Sequence, residues 1–141
     1  MAMNSIKTAA VLLLVMMLSS CGGLTIKDTD RWLENKNSPS TIDMTGEWDS
    51  GGSWAGGWGT GRFIQDGRNF SGTLGSYYAE GTVSGDHVYM VIYSRKKVYY
   101  TAILKQTDDS YMGKAVYETL ADDREARHAQ SYPIVLKKVT R

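Results

Sequence analysis

From residue 45 onward the chain consists of short runs in which apolar and polar residues alternate, separated by turn residues. Alternation with a period of two between clusters of Gly, Asp and Ser is typical of β-strands with one buried face. Eight strands are predicted on this basis, over residues 45–50, 58–65, 68–75, 78–84, 87–94, 98–106, 110–118 and 132–139.

The connections between these runs are short, so neighbouring strands must be antiparallel. Asp66-Gly67 and Gly85-Asp86 are two-residue hairpin signals, and the polar segments 95–97 and 107–109 are consistent with further hairpins. Eight such strands form an up-and-down meander, and closure into a barrel removes the exposed edges of an open sheet. We therefore predict an all-β, antiparallel eight-stranded barrel, with an open sandwich as the alternative.

Two details refine the predicted barrel. Runs 89–93 and 98–104 are apolar on both faces, which indicates central strands whose outer face is partly covered. Glycines at 72, 75, 81 and 113 fall inside predicted strands, where they permit sharp bends.

Segment 119–130 is rich in helix formers and predicts a short solvated helical turn before the last strand, with a docking lid as the alternative.

Residues 22–43 are predicted to be a spacer, because they combine Gly22-Gly23 with a polar stretch that contains Pro39. Residues 28–34 can form one or two helical turns, with Asp28 or Thr29 as the cap. Three positions remain open for Trp32: on the domain, on a lipid surface, or exposed to solvent.

The N-terminus carries Lys7 and then an apolar segment over residues 8–18. Eleven helical residues cannot cross a hydrocarbon core of about 30 Å, but this length suits a secretory signal. An uncleaved helix packed against the domain is the alternative. The segment ends in Leu18-Ser19-Ser20-Cys21, which resembles the lipobox of bacterial lipoprotein precursors.

This resemblance implies a signal peptide over 1–20, acyl chains such as palmitate on Cys21, a lipid-anchored tether over 21–44 and a barrel domain over 45–141. Several acyl chains at one terminus hold a membrane far more firmly than one chain does. The residue after Cys21 is not the aspartate that resembles an inner-membrane retention signal. We therefore expect the cell envelope, with the outer membrane favoured and the domain outside the cytoplasm.

Charge and cysteine content limit the classes of partner. Removal of Lys7 with the signal peptide leaves 15 basic and 15 acidic residues, and no basic stripe is interleaved with aromatic residues. Nucleic acid is therefore not expected as a partner. Cys21 is the single cysteine, so no disulfide can form within the chain and the core alone must stabilise the domain.

Gly46-Glu47-Trp48 in the first predicted strand resembles the G-x-W signature of lipocalins and related calycins, which include avidins. Thr107-Asp108 and Arg141 fall where lipocalins carry a Thr-Asp-Tyr motif and an arginine, although Asp109 replaces the tyrosine. The resemblance implies an eight-stranded barrel over 45–141 in which Gly46, Trp48 and Arg141 form a closed end, with the cation over the indole ring.

The candidate ligand-binding residues are aromatic. Trp54 and Trp58 lie in the glycine-rich segment 51–61, which is predicted to be a mobile loop at the barrel mouth. Tyr78, Tyr93 and Tyr100 are the tyrosines expected to reach the same ligand. The alternative is structural: the tryptophans cap the core and the tyrosines form cross-strand packing pairs.

Neither a metal site nor a catalytic site is predicted. His87 and His128 lack neighbours at metal-ligand spacing. The strand carboxylates Glu47, Asp49 and Glu80, together with Glu118, are not placed in pairs by the sequence. We therefore expect a non-enzymatic protein without cofactors, anchored by lipid, whose barrel binds a small apolar or amphipathic ligand. The alternative is an interaction protein with a filled barrel that docks another envelope protein.

Overall fold

The computed structural model describes residues 23–50 and 57–140 and contains a closed barrel of eight antiparallel strands in up-and-down order. The strands are β1 (Gly46–Asp49), β2 (Thr60–Asp66), β3 (Asn69–Leu74), β4 (Tyr77–Ser84), β5 (His87–Ser94), β6 (Lys97–Gln106), β7 (Tyr111–Tyr117) and β8 (Ser131–Lys138). The barrel closes where β1 pairs with β8. The predicted fold class is confirmed, and the open sandwich is excluded.

Predicted and observed strand limits differ by at most two residues, and β5 agrees at both ends. The first hairpin turn was placed one residue early. Asp66 still pairs with Asn69, so the two connecting residues are Gly67 and Arg68. Gly67 has φ +63°, the conformation for which glycine is suited in a tight turn.

The barrel interior is filled by a single cluster of apolar side chains. Its largest fully buried members are Met44, Phe63, Leu74, Met90, Ile92, Leu104, Ile134 and Leu136. Alternate residues of each strand point inward, which explains the period of two in the sequence.

One end of the barrel is covered by residues that precede β1. Residues 38–44, here called the crossing segment, place Ile42 and Met44 in the core cluster. Gln65 of β2 secures this segment: its side-chain nitrogen donates to the Ile42 carbonyl at 3.0 Å, and its oxygen accepts from the Met44 amide at 2.7 Å. Trp48 also donates to the Met44 carbonyl, at 2.8 Å. We call this end, which holds the β2–β3, β4–β5 and β6–β7 turns, the closed end.

Helix α1 (Ile26–Glu34) begins earlier than predicted, and neither Asp28 nor Thr29 is its cap. Thr25 is the N-cap, and it exchanges hydrogen bonds of 3.2 Å with Asp28 in a capping box. The side-chain and backbone hydrogen bonds from Thr25 lower the pKa of Asp28. Thr29 is instead buried in the first turns of the helix.

Helix α1 lies along the outer face of β5 and β6. Trp32 is 6% exposed and belongs to a second apolar cluster with Val91 and Val98. This covering explains why both faces of β5 and β6 are apolar. Of the three positions left open for Trp32, the structure shows the one on the domain. The segment predicted to be a spacer forms a helix and contributes Trp32 and Ile42 to the apolar clusters.

The helical turn before the last strand is also confirmed, as a 3-10 helix over Arg124–Arg127 capped by Asp123. Among the described residues, no helix combines the length and the apolar character needed to cross a bilayer. The predictions that concern residues 1–22, including Cys21, and those for Trp54 and Arg141 lie outside the described residues.

Candidate functional site

Six aromatic side chains gather at the end of the barrel opposite the closed end, where the β3–β4 and β5–β6 turns lie. They are Trp58, Tyr77, Tyr99, Tyr100, Tyr117 and Tyr132, and we call them the aromatic end. The rings meet mostly edge to face. The centroid of Tyr100 lies 5.0 Å from that of Trp58, 5.6 Å from that of Tyr117 and 5.8 Å from that of Tyr132.

An irregularity in β6 brings two consecutive tyrosines into this cluster. Ile92 pairs with Tyr100 and Tyr93 pairs with Val98, so Tyr99 is an additional residue in β6 opposite β5. Neighbouring residues of a regular strand point to opposite faces, whereas a bulge redirects a side chain. As a result both Tyr99 and Tyr100 contact Tyr77, with ring centroids 5.8 and 6.2 Å away.

The Trp58 side chain is held in place by a hydrogen bond and by apolar packing. Its indole nitrogen donates to the Pro133 carbonyl of β8 at 3.1 Å, and its ring packs against the core cluster. The backbone after it bends at Gly59, with φ +89°, and lies against Gly75 in the β3–β4 turn. Trp58 is therefore a half-buried side chain held at the rim of the barrel.

Tyr100 lies at the centre of the cluster and is half-buried. Burial, followed by the neighbouring phenols of Tyr77, Tyr132 and Tyr117, raises the pKa of Tyr100. Its hydroxyl therefore stays neutral at physiological pH. Ring faces and edges with neutral hydroxyl groups suit an apolar or amphipathic ligand.

The structure brings together two of the predicted ligand-binding residues, Trp58 and Tyr100. Tyr78 and Tyr93 instead stack on each other on the outer wall of β4 and β5, at 5.8 Å. Tyr77, Tyr99 and Tyr117 were only three of many strand tyrosines that could face a ligand and were not singled out for the site, and Tyr132 was not considered. Hairpin register carries a signal for one of them, since Tyr117 lies directly across from Tyr100.

The closed end contains the residues of the predicted G-x-W signature. Trp48 is buried and its ring contacts that of Tyr111 at 5.5 Å. The ammonium of Lys138 lies over the indole ring, 5.7 Å from its centroid, and the prediction for Arg141 stays untested. Gly46 has φ +130° and lies against the Lys138 side chain.

Two of the carboxylates considered for catalysis lie next to cationic side chains. Glu118 pairs with Lys97 at 3.0 Å, and this contact with the hydrogen bond from Tyr117 lowers the pKa of Glu118. The Oε2 atom of Glu47 lies 3.9 Å from the Nη2 atom of Arg62. Within 23–50 and 57–140, no group of three or more His, Cys, Asp or Glu side chains is arranged to hold a metal ion.

A second surface feature is a groove of about 450 Å³ between α1 and strands β2–β4. Its acidic lining includes Asp30, Glu34 and Glu80, and its apolar lining includes Leu33 and Ile64. Burial, and then the nearby charge of Asp30, raises the pKa of Glu80. Ile64 is 72% exposed, which is unusual for a large apolar strand residue.

Comparisons with protein-family models, with curated proteins and with solved structures found no match. The lipobox and calycin resemblances therefore stay predictions that rest on the residues quoted for them.

Proposed function

We propose that this chain is a lipid-anchored protein of the bacterial cell envelope, with the outer membrane favoured, and that its barrel binds a small amphipathic ligand at the aromatic end. The observation that carries the proposal is the cluster of six rings that includes Tyr100, five of them half-buried and the sixth, Tyr132, exposed. Aromatic side chains with neutral hydroxyl groups offer apolar contact and directed hydrogen bonds to the same ligand. The proposal assigns no catalytic step to the site.

The filled interior limits how deep such a ligand can lie. Trp58, Tyr77 and Tyr100 pack against the core cluster, so side chains already occupy the barrel beneath them. An eight-stranded barrel is either filled by side chains or holds one small ligand. We therefore place the ligand across the aromatic end, in contact with Trp58, and not along the barrel axis.

Ligand binding is tested with an anthroyloxy-labelled fatty acid as the probe. Trp58→Ala removes the ring held at the rim and is expected to weaken probe binding by about tenfold, since a buried aromatic contact contributes about 1–2 kcal/mol. The matched control is Tyr78→Ala, which removes a ring of the outer wall. Equal affinity of the wild-type protein and both variants contradicts the proposal.

Lipid anchoring is tested separately by growing cells with radioactive palmitate. The chain should incorporate the label, and Cys21→Ser should abolish incorporation because the thiol is the acylated group. Incorporation that persists in Cys21→Ser would place the acyl chains elsewhere. If the wild-type protein incorporates no label, it has no acyl anchor, and the aromatic end is then a ligand site in an unanchored protein.

The groove beside α1 supports the second candidate, a protein that docks another envelope protein. An exposed Ile64 flanked by Asp30, Glu34 and Glu80 suits a partner segment with apolar and basic residues. Native mass spectrometry separates the two candidates. A retained small mass supports ligand binding, whereas a complex of defined protein mass that is lost in Ile64→Lys supports docking.

A further inference from the structure

We propose that the aromatic end rests on an anionic lipid surface, with the β5–β6 turn and the start of α1 in contact with the headgroups. This inference rests on the proposed acylation of Cys21. It adds an orientation and a lipid-binding surface, which acylation alone does not specify.

The point where the chain approaches the membrane lies at the aromatic end. Gly23 and Leu24 line a groove of about 520 Å³ together with Lys96, Lys97 and Val98 at the β5–β6 turn. Two peptide links separate Cys21 from Gly23, and they span at most about 7 Å. An acylated Cys21 would therefore hold this turn close to the bilayer surface.

Four exposed cations surround this point: Lys27 of α1 and Arg95, Lys96 and Lys97 of the turn. Glu118, which also lines this groove, pairs with Lys97, so Lys27 and Lys96 remain as the other cations of the groove, with Arg95 next to Lys96 in the turn. Each basic side chain near an anionic membrane contributes about 1 kcal/mol of attraction. The anchor and the cations therefore favour the same orientation.

Carboxylates also lie near the anchor point. Gly23 and Leu24, with Glu118, line a second groove that contains Asp28, Asp123, Glu125 and Arg31. Asp28 is held in the capping box with Thr25. The residues of the β5–β6 turn do not line this second groove, so the turn presents its cations to an anionic surface when the barrel stands on its aromatic end.

The aromatic residues at this end strengthen the argument. Tyrosine and tryptophan prefer the membrane–water interface, because each has an apolar ring and a polar group. Trp58, Tyr100 and Tyr132 lie at the same end as the β5–β6 turn, since Tyr100 is near the start of β6 and the rings of Trp58 and Tyr132 pack against it. The proposed ligand site would then open toward the bilayer.

The test uses the full acylated chain, verified by mass, in nanodiscs that contain spin-labelled lipid. Because Cys21 is acylated, an introduced cysteine is the one free thiol and carries a fluorophore. Ser76→Cys places the label in the β3–β4 turn at the aromatic end, and Asp108→Cys places it at the closed end. We expect strong quenching at 76 and weak quenching at 108 with anionic lipid.

A charge variant tests the cause. Arg95→Gln/Lys96→Gln should lower the equilibrium constant for docking by about thirtyfold, because two cations are removed, and quenching at 76 should fall. The control Arg68→Gln/Lys105→Gln removes the same charge at the closed end and should leave quenching unchanged.

Equal quenching at 76 and 108, or quenching at 76 that does not depend on anionic lipid, overturns the proposed orientation while the acylated protein retains its proposed function. A chain that carries no acyl group overturns both the anchor and the orientation.

Discussion

Gly81 illustrates how single residues allow this small barrel to close. A Cβ atom at this position would lie 2.1 Å from the Tyr89 carbonyl oxygen and 2.5 Å from the ring of Phe70. Gly72 and Gly113 similarly face carbonyl oxygens of the adjacent strands, at 1.8 and 1.9 Å. These glycines were predicted to permit bends, and the structure shows that they permit close contact between strands. Gly75 differs, because it lies in the β3–β4 turn with φ +58°.

Gly81→Ala is therefore expected to destabilise the protein by more than about 2 kcal/mol, because a backbone atom or the Phe70 ring must move. Gly67→Ala is the comparison. Nothing lies within 4 Å of a Cβ at Gly67, so the only cost of the substitution is the strain of alanine at a positive φ. This strain lowers the free energy of unfolding by about 1 kcal/mol. Urea denaturation measures both changes, and a smaller loss for Gly81→Ala would contradict the steric explanation.

The β5–β6 turn offers the opposite case, since Arg95 and Lys96 have φ +51° and +67° without being glycine. Lys96→Gly should raise the free energy of unfolding by about 0.5–1 kcal/mol, because glycine adopts this conformation without steric cost. Lys105→Gly, in the regular part of β6, should lower it. If both substitutions stabilise the protein, relief of backbone strain in the turn does not explain the effect of Lys96→Gly.

At the scale of elements, α1 is held on the barrel by a polar contact as well as an apolar one. The Trp32 indole donates to Asp122 at 2.8 Å, and Lys36 pairs with the same carboxylate at 2.6 Å. Lys36 also lies 4.9 Å from the ring centroid of Tyr89. These contacts join the N-terminal helix to the segment before β8.

Asp122 gives this contact a pH dependence. Partial burial raises the pKa of Asp122, but the hydrogen bonds from Lys36 and Trp32 outweigh it, so the net pKa lies below its usual value. A lowered pKa means that the stabilisation is present above about pH 4 and is lost as the pH falls through the lower, folded-state pKa. Acidification should therefore loosen α1.

We expect Asp122→Asn to be less stable than wild type at pH 7 by less than about 1 kcal/mol, because the carboxylate is partly exposed and screened. The difference should be smaller at pH 2.5 than at pH 7, since protonation of wild-type Asp122 removes the charge that the variant lacks. Urea denaturation at the two pH values measures it. An equal difference at both pH values would assign the effect to packing and not to charge.

The sequence predicted the strands and the hairpins well, because both depend on neighbouring residues. The apolar run of β5 and the turn at Gly85-Asp86 are local signals, and both were correctly placed. The position of α1 was not predictable in this way. The contact that anchors α1 joins Trp32 to Asp122, 90 positions later in the chain. No periodicity in residues 22–43 predicts such a partner.

The candidate site was predicted only in part, for a related reason. Trp58 and Tyr100 were identified by residue type, but their neighbours depend on register. Strict alternation assigns Tyr99 to the face opposite Tyr100, and the bulge in β6 overrides that assignment. The contact of Lys138 with the Trp48 ring depends on tertiary structure in the same way.

At the scale of the whole molecule, the barrel depends on residues that precede its first strand. Met44 is fully buried, and Ile42 is 5% exposed. A chain that starts at Thr45 lacks both, together with the cover that Trp32 provides for β5 and β6. The folded unit therefore extends back to α1.

A chain starting at residue 45 should be less stable than one starting at residue 23 by at least about 4 kcal/mol, because each buried Met, Ile or Trp contributes about 2–5 kcal/mol. Thermal unfolding monitored by circular dichroism compares the two chains. Met44→Ala in the longer chain is the milder test and should cost about 2–4 kcal/mol. Equal melting temperatures would show that the barrel is complete without the preceding residues.

The path of the N-terminal segment also determines how the protein bears mechanical load. The chain runs outside the barrel along α1, crosses the closed end and only then enters β1 at Gly46. Tension applied at the N-terminus therefore acts first on α1 and would peel it from β5 and β6 turn by turn. The nine-residue helix would lengthen from about 14 Å toward about 30 Å before force reached the sheet. Helix α1 is thus placed to act as an extensible element that protects the barrel from being pulled open.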